Sequence, residues 1–461
     1  MSNESERMSR RSLLQTSAVA AATVAVPSLV GAQSKVPDTG KIPATKNKTM
    51  LGVPFEKHDR IRMGFVGVGG RGTGLLSDFL ATGHVDVLAI CDIDESHAKR
   101  GADMVEKRGQ KRPELYTKGD HDFERLCARQ DLDVVLTATP WDWHVPVCLS
   151  ALKHGHHAFT EVPAATTLED CWALVNASEA ARKHCVMIEN CTYDNAEMMV
   201  LNMVQAGLFG EPLHGGAAYN HDLRDVLTNG YGESLWRRFP HMKRNGNFYP
   251  THGLAPVGNY FGHHLTDRFD YLVSMSTPEA GLSAYVKAKF PESDPKRKEK
   301  YICGDVNTSL LKTAMGKTIL LQHDVSNCRP YSRINSLQGS KGVFEDYPPR
   351  IYFDGGNDEY VPLDKYKAEW EHPLWKQVGE MARKNGGHGG MDFIMAYRMV
   401  ECMRNGTVPD MDVYEAAAWS VPGPLSELSV AHGSMPMKFP DFTRGEWKKG
   451  HQTFLRRPIR N

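Results

Sequence analysis

The sequence predicts an α/β fold: a doubly wound parallel sheet in the first half and an α+β domain with a large, mostly antiparallel sheet in the second. Three observations carry this. Apolar runs alternate with helical periodicity from Ile61 to Gln205, the pattern of a parallel sheet. "RIRMGFVGVGG" runs a strand into the glycine turn Gly67-Val68-Gly69-Gly70-Arg71-Gly72, which makes the first half Rossmann-type. Beyond Gly210 the apolar runs lengthen and are separated by short turns such as Met315-Gly316-Lys317 and Gly339-Ser340-Lys341, as antiparallel strands require.

The elements follow in order. After the strand at Ile61, Thr73 to Thr82 reads as a helix, "VDVLAICD" (Val85 to Asp92) as a second strand and Glu95 to Arg108 as a helix. "DLDVVLTATP" is a third strand, Val145 to Lys153 a short helix and "HAFTEVP" a fourth strand. Thr166 with Glu169 forms a capping box ahead of Leu168, Cys171, Trp172 and Val175, whose spacing gives a helix with one buried face. "CVMIENC" is another buried strand and Asn195 to Gln205 another helix. The dinucleotide-type domain is set at 61–193 and the C-terminal substrate and oligomerisation domain at 194–461. In the latter, "HGGAAYNHDLR", "RFDYLVSMST", "TSLLKTAMGKTILLQHDVSN" and "GVFEDYPPRIYFDG" read as strands. Residues 392–404 and 413–432 read as helices that pack on their sheet.

Composition narrows the function. Lys plus Arg and Asp plus Glu are both 55 in 461 residues, so no net field gathers phosphate backbones, and nucleic acid is excluded as a partner. Nine cysteines show no CxxC pair and no ligand spacing; they read as buried thiols, and no metal is expected. In residues 1–32, Arg10 and Arg11 of "SRRSLLQ" precede the apolar run Ala18 to Ala32, which Pro27 interrupts. It is too short to span a bilayer. The segment resembles a twin-arginine export signal, which implies a folded passenger and a periplasmic or cell-envelope location. Residues 33–60 read as a linker or wrapped arm.

The glycine turn carries the first chemistry. Gly67 allows the tight turn, Gly69 lets backbone N–H groups of Gly70 and Arg71 approach a pyrophosphate, and Gly72 lets the helix pack on the strand. Asp92 ends the next strand, where a carboxylate accepts from both ribose hydroxyls and repels a 2′-phosphate. NAD is therefore the expected cofactor. Three strand ends then carry polar or aromatic groups: "TPWDWH" with Trp141, Asp142, Trp143 and His144, "TEVPA" with Glu161 and Val162, and "ENCTY" with Asn190. Ligands bind at such ends in open α/β sheets.

Together with "AAYNHDLR", "GNFYPTHGLAPV", "DRFDYLVSMS" and "GHGGMDF", these blocks resemble the glucose-fructose oxidoreductase and inositol dehydrogenase superfamily. More narrowly, they resemble glycoside hydrolase family 109, the NAD-dependent α-N-acetylgalactosaminidases, over residues 58–445. The resemblance implies NAD contacts from Gly70, Arg71, Asp92, Trp141 to His144, Glu161, Val162 and Asn190. It implies substrate contacts from Tyr219, Arg237, Tyr249, Pro250, Thr251, His252 and Tyr331, a glycan or glycoside substrate, and a homo-oligomer.

Where dehydrogenases of the superfamily carry Glu-Lys-Pro, this chain has Val162, so proton transfer falls to His252 with Tyr249. An imidazole titrates near neutrality and suits that work. Bland readings stand beside these. Tyr219 and Tyr331 fall in strand-like stretches where tyrosine also packs, Arg237 has Arg238 beside it, and His252 also suits a helix start after Pro250. His388 and Asp392 read as structural or as support behind the site. The expected reaction is a glycosidic cleavage by oxidation, elimination, addition and reduction, with a sugar or cyclitol dehydrogenase as the alternative.

Overall fold

The computed structural model describes Thr39, residues 42–229 and residues 236–455. The export-signal reading of residues 1–32 lies outside the described residues. The first half runs β1 (Ile61–Val66), α1 (Gly70–Ala81), β2 (Val85–Cys91), α2 (Glu95–Lys107), β3 (Glu114–Tyr116), α3 (Asp122–Cys127), β4 (Val134–Thr137), α4 (Trp141–Lys153), β5 (His157–Thr160), α5 (Leu168–Ala181) and β6 (Cys185–Met187). These strands form a parallel sheet in the order β3-β2-β1-β4-β5-β6. The reversal beside β1 opens a crevice at the strand C-termini.

The second half runs α6 (Asn195–Gln205), β7 (Pro212–Asn220), α7 (Arg224–Asn229), α8 (Arg238–Lys243), α9 (Thr251–Tyr260), β8 (Phe269–Ser276), α10 (Gly281–Lys289), β9 (Val306–Thr313), β10 (Thr318–Asp324), β11 (Ser336–Gly339), β12 (Gly342–Glu345), β13 (Arg350–Phe353) and β14 (Val361–Pro362). Then come α11 (Lys367–Trp370), α12 (Pro373–Asn385), α13 (Met391–Asn405), α14 (Val413–Ser420), α15 (Pro422–Ala431) and β15 (Met437–Lys438). The nine-stranded sheet has the order β14-β13-β12-β11-β7-β10-β9-β8-β15. β7 and β10 pair in parallel, and the other pairs are antiparallel.

Several details differ from the sequence reading. β3 and α3 are too short to show a period, so "HAFTEVP" opens with the fifth strand, not the fourth. The cap of α5 is Thr167, whose hydroxyl accepts from Asp170 N, one residue beyond Thr166. Tyr331 lies in a loop beside the Asn220–Ser332 bridge rather than in a strand. The C-terminal helices divide: α15 lies on β8, while α13 packs against α1 and β1, and α14 against α5 and β6. α14 is buried on all sides, so its apolar faces serve both halves of the molecule. Eight of the nine cysteines are buried free thiols, but Cys328 is exposed. Residues 42–60 wrap as an arm; Phe55 packs against His157, Phe159 and His184.

One close approach positions the site. α9 lies on β7, and a Cβ on Gly253 would fall 2.2 Å from Ala218 N. Only glycine lets the start of α9 come this near the strand, and the contact brings His252 beside Tyr219, ring to ring at 5.5 Å. Gly253→Ala is expected to cost about 1–3 kcal/mol, read as a lower unfolding midpoint. Gly258→Ala on the same helix, whose nearest neighbour is Trp419 Nε1 at 3.3 Å, is expected to cost less; equal losses would contradict the close-approach account.

Candidate active site

A cavity of about 670 Å³ runs from the glycine turn across the strand ends to α9 and β7, within the usual size of a ligand site. At one end, Gly67 has φ +80°, and a Cβ on Gly72 would meet Gly67 O at 2.0 Å. Gly69 begins α1 without a side-chain cap, which leaves first-turn N–H groups for an anion. Asp92 accepts from Val68 N at 2.8 Å and Asp94 N at 2.9 Å, so its carboxylate is fixed at the cavity wall. These features fit a dinucleotide: the turn can receive the pyrophosphate and Asp92 the ribose.

The strand ends supply the middle of the cavity. Trp141 packs edge-on to Trp236 at 5.0 Å and tilted against Tyr249 at 5.8 Å, while Trp143 meets His121 and Phe123. His144 braces two strand ends, with Nδ1 at 2.8 Å from Pro163 O and Nε2 at 2.9 Å from Thr139 O. Burial holds its imidazole below the ordinary range. Asp142 is exposed on the first turn of α4 and lies off the cavity wall.

Arg71 does not extend into the cavity as a free cation. Its Nε donates to Glu161 Oε1 at 2.6 Å and its Nη1 to Asp392 Oδ2 at 2.5 Å. Asp392, 1% exposed, also accepts from Asn190 Nδ2 at 2.5 Å and lies 2.8 Å from His388 Nδ1. Burial opposes ionisation of Asp392, yet His388 and Arg71 outweigh it and hold the carboxyl well below the usual range. Burial likewise opposes the charge on Arg71, and Glu161 and Asp392 outweigh it. Asp392 is a residue that the sequence reading left behind the site, and the structure makes it the junction of three chain segments.

At the far end stands His252. Its Nδ1 lies 2.5 Å from Glu189 Oε1, and Glu189 is fully buried. Glu189 also accepts from Cys191 N, Thr192 N and the Thr192 hydroxyl. The carboxylate is thus fixed, and it fixes the imidazole with Nε2 as the remaining nitrogen. Glu189 is a site residue absent from the sequence-based set: it is 63 residues from His252, and only its place at a strand end hinted at it. Glu189, Cys191 and His252 could place three ligand atoms together, but hydrogen bonds engage the carboxylate, and burial keeps the Cys191 thiol protonated.

The remaining expected residues divide. Tyr249 lies 4.9 Å from the His252 ring and 4.5 Å from the Tyr219 ring. The Arg237 guanidinium sits over Trp141, Trp236 and Tyr249 at 5.0–5.3 Å, whereas neighbouring Arg238 turns away to Glu299. Pro250 and Thr251 are buried at the start of α9, off the cavity wall. Tyr331 stands behind the wall, edge-on to Tyr219 and His221. His221, absent from the sequence-based set, lines the cavity with its Nδ1 3.0 Å from the Tyr219 hydroxyl.

Comparison with known proteins agrees with this geometry. Residues 61–190 match the oxidoreductase family with an NAD-binding Rossmann fold, and residues 193–449 match the C-terminal domain of glycosyl hydrolase 109. NAD is the cofactor of this cleft. A glycosyl hydrolase family 109 protein of Solibacter usitatus is 54% identical over 87% of this chain and 92% of its own length. One from Saccharopolyspora erythraea is 46% identical over 97% of both. Levoglucosan dehydrogenase, solved with NADH and levoglucosan, superposes with a TM-score of 0.63 at 16% identity, covering 83% of this chain and all of that one. An inositol dehydrogenase homolog of Azotobacter vinelandii, complexed with NAD+, gives 0.62 at 18%, covering 84% and 99%. At such identities these two show the shared fold.

The Arg71 junction has a measurable neighbour. Asp78 is buried on α1, and burial, then the charge of Asp392, push its carboxyl up to about 7, against Arg71 and His388. Its folded pKa lies above the unfolded value, so the folded state binds more protons between about pH 4 and 7, and stability falls as pH rises through that window. Asp78→Asn is expected to raise the unfolding midpoint by roughly 2 °C or more at pH 8, with the advantage shrinking toward pH 4.5. A pH-independent difference would contradict the assignment.

Proposed function

Because the chain belongs to glycosyl hydrolase family 109, we propose that it hydrolyses terminal α-linked N-acetylgalactosamine, or a related hexosaminide, by oxidation, elimination, addition and reduction without net redox change. The observation that carries this reading is the Glu189–His252 pair facing a dinucleotide cleft. A direct glycosidase uses two carboxylates across the scissile bond. Here the strand-end carboxylates are already engaged: Glu161 with Arg71 and Val162 N, Glu189 with His252 and the Cys191 and Thr192 amides, and Asp92 with Val68 N and Asp94 N.

The glycine turn and Asp92 would hold NAD, which would supply a reversible hydride acceptor for C3 of the sugar; a ketone at C3 acidifies the proton on C2. His252 then has a defined task. With Nδ1 held by Glu189, its Nε2 takes the C2 proton, and the carboxylate stabilises the imidazolium that forms. The C1–O bond breaks as the C1=C2 double bond forms, and water adds across it. Tyr249, Tyr219 and Arg237 enclose the sugar and orient it. Val162, 2% exposed, leaves no ammonium at this strand end.

Two expectations rest on sequence and surface. The twin-arginine segment supports export of the folded, cofactor-loaded chain. Val273, Leu310 and Leu320 form a cross-strand row on the second sheet, with Leu310 52% exposed, which supports pairing of two copies.

Nitrophenyl α-N-acetylgalactosaminide is expected to be cleaved with no net rise in NADH absorbance. His252→Ala is expected to lower turnover about 10²- to 10⁴-fold while NAD stays bound. NADH accumulating from free sugar without glycoside cleavage would favour a dehydrogenase instead.

A further inference from the structure

The reaction moves two chemically different protons before the glycosidic bond breaks, one from an alcohol and one from carbon. His252 suits the carbon acid, because the buried Glu189 carboxylate holds its Nδ1 and so fixes the direction of Nε2. The alcohol needs its own acceptor, since the strand end that could offer a lysine carries Val162.

The cavity has a second imidazole in position. β7 ends at Asn220, so Tyr219 inside the strand and His221 just beyond it are two residues apart, the spacing that puts side chains on one face, and both line the cavity. The Tyr219 hydroxyl and His221 Nδ1 are 3.0 Å apart. The Tyr219 ring contacts both imidazoles, 5.5 Å from His252 and 5.7 Å from His221. Tyr331 closes the outer side of His221 at 5.0 Å, and its hydroxyl accepts from Arg333 Nη1 at 3.1 Å. The pair is therefore packed on one side and opens to the cavity on the other.

We propose that Tyr219 and His221 form a second proton relay, separate from Glu189–His252, that takes the proton of the sugar's 3-hydroxyl during oxidation. The O–H bond of the alcohol breaks and its proton passes to the Tyr219 oxygen, while the phenolic proton passes to His221 Nδ1. The C3–H electron pair leaves as hydride to the bound nicotinamide, and C3=O forms. In the reducing step each transfer runs backward, so the relay ends as it began. Burial, then Arg237, His252 and His388, lower the His221 pKa against Asp222, which favours the neutral imidazole, the form with a nitrogen free to accept a proton.

The proposal rests on the redox reading of this pocket, and single-turnover absorbance at the NADH band separates the two. Purified enzyme with its NAD is mixed with excess N-acetylgalactosaminide, for the parent, Tyr219→Phe, His221→Gln and His252→Gln. The parent is expected to show a transient NADH band. Tyr219→Phe and His221→Gln are expected to form it at least about 100-fold more slowly, with NAD content and unfolding midpoint unchanged. His252→Gln is expected to form the band quickly and keep it, because its block lies after oxidation. NADH formation at the parental rate in both Tyr219→Phe and His221→Gln would overturn the relay while leaving the redox reading intact. A parent that cleaves glycoside with no NADH transient would overturn both.

Discussion

The guanidinium of Arg71, shared between Glu161 and Asp392, is the constraint on which the rest of the site depends. Arg71 belongs to the glycine turn, Glu161 to the end of β5 and Asp392 to the first turn of α13, which returns from the far end of the chain. Asn190, at the end of β6, joins through the same carboxylate. Four segments that must stand in register around a dinucleotide are thus tied by charge-assisted hydrogen bonds. Buried charges are costly unless every partner is present, so the arrangement tolerates little drift, which is what a preorganised cleft needs.

From that junction the chemistry follows outward. Asn190 precedes Cys191 and Thr192, whose amides hold Glu189, and Glu189 holds His252. His252 is thus positioned by the strand end that helps to line the cofactor cleft. From the other side, Gly253 lets α9 sit on β7, so His252, Tyr249 and Tyr219 meet as one aromatic wall. Two dehydrogenases share this fold, and in the proposed reaction the groups around the cleft are what direct the sugar to cleavage.

Much of this was legible in the sequence wherever the signal was local. Gly67 to Gly72 and Asp92 are read from spacing alone, because a turn and the end of the next strand lie near each other in the chain. The sheet of the second half was legible from its hairpin turns. Glu189 and Asp392 were not legible as chemistry, because their partners lie 63 and 321 residues away. Nor was the return of α13 and α14 to the parallel sheet: their apolar positions show that they bury a face, not which sheet they bury it against. His221 sits in plain view two residues after Tyr219, yet only the fold shows that both line one cavity.

In the proposed reaction the glycosidic bond is broken by elimination from an oxidised sugar, with His252 removing the proton at C2. Hydrolysis in deuterium oxide, with the released N-acetylhexosamine examined by proton NMR and mass spectrometry, tests this most directly. Deuterium is expected at C2 of the product, because the imidazolium proton exchanges with solvent before it is returned to carbon. Full turnover with C2 protium retained would show direct displacement at C1 and contradict the account.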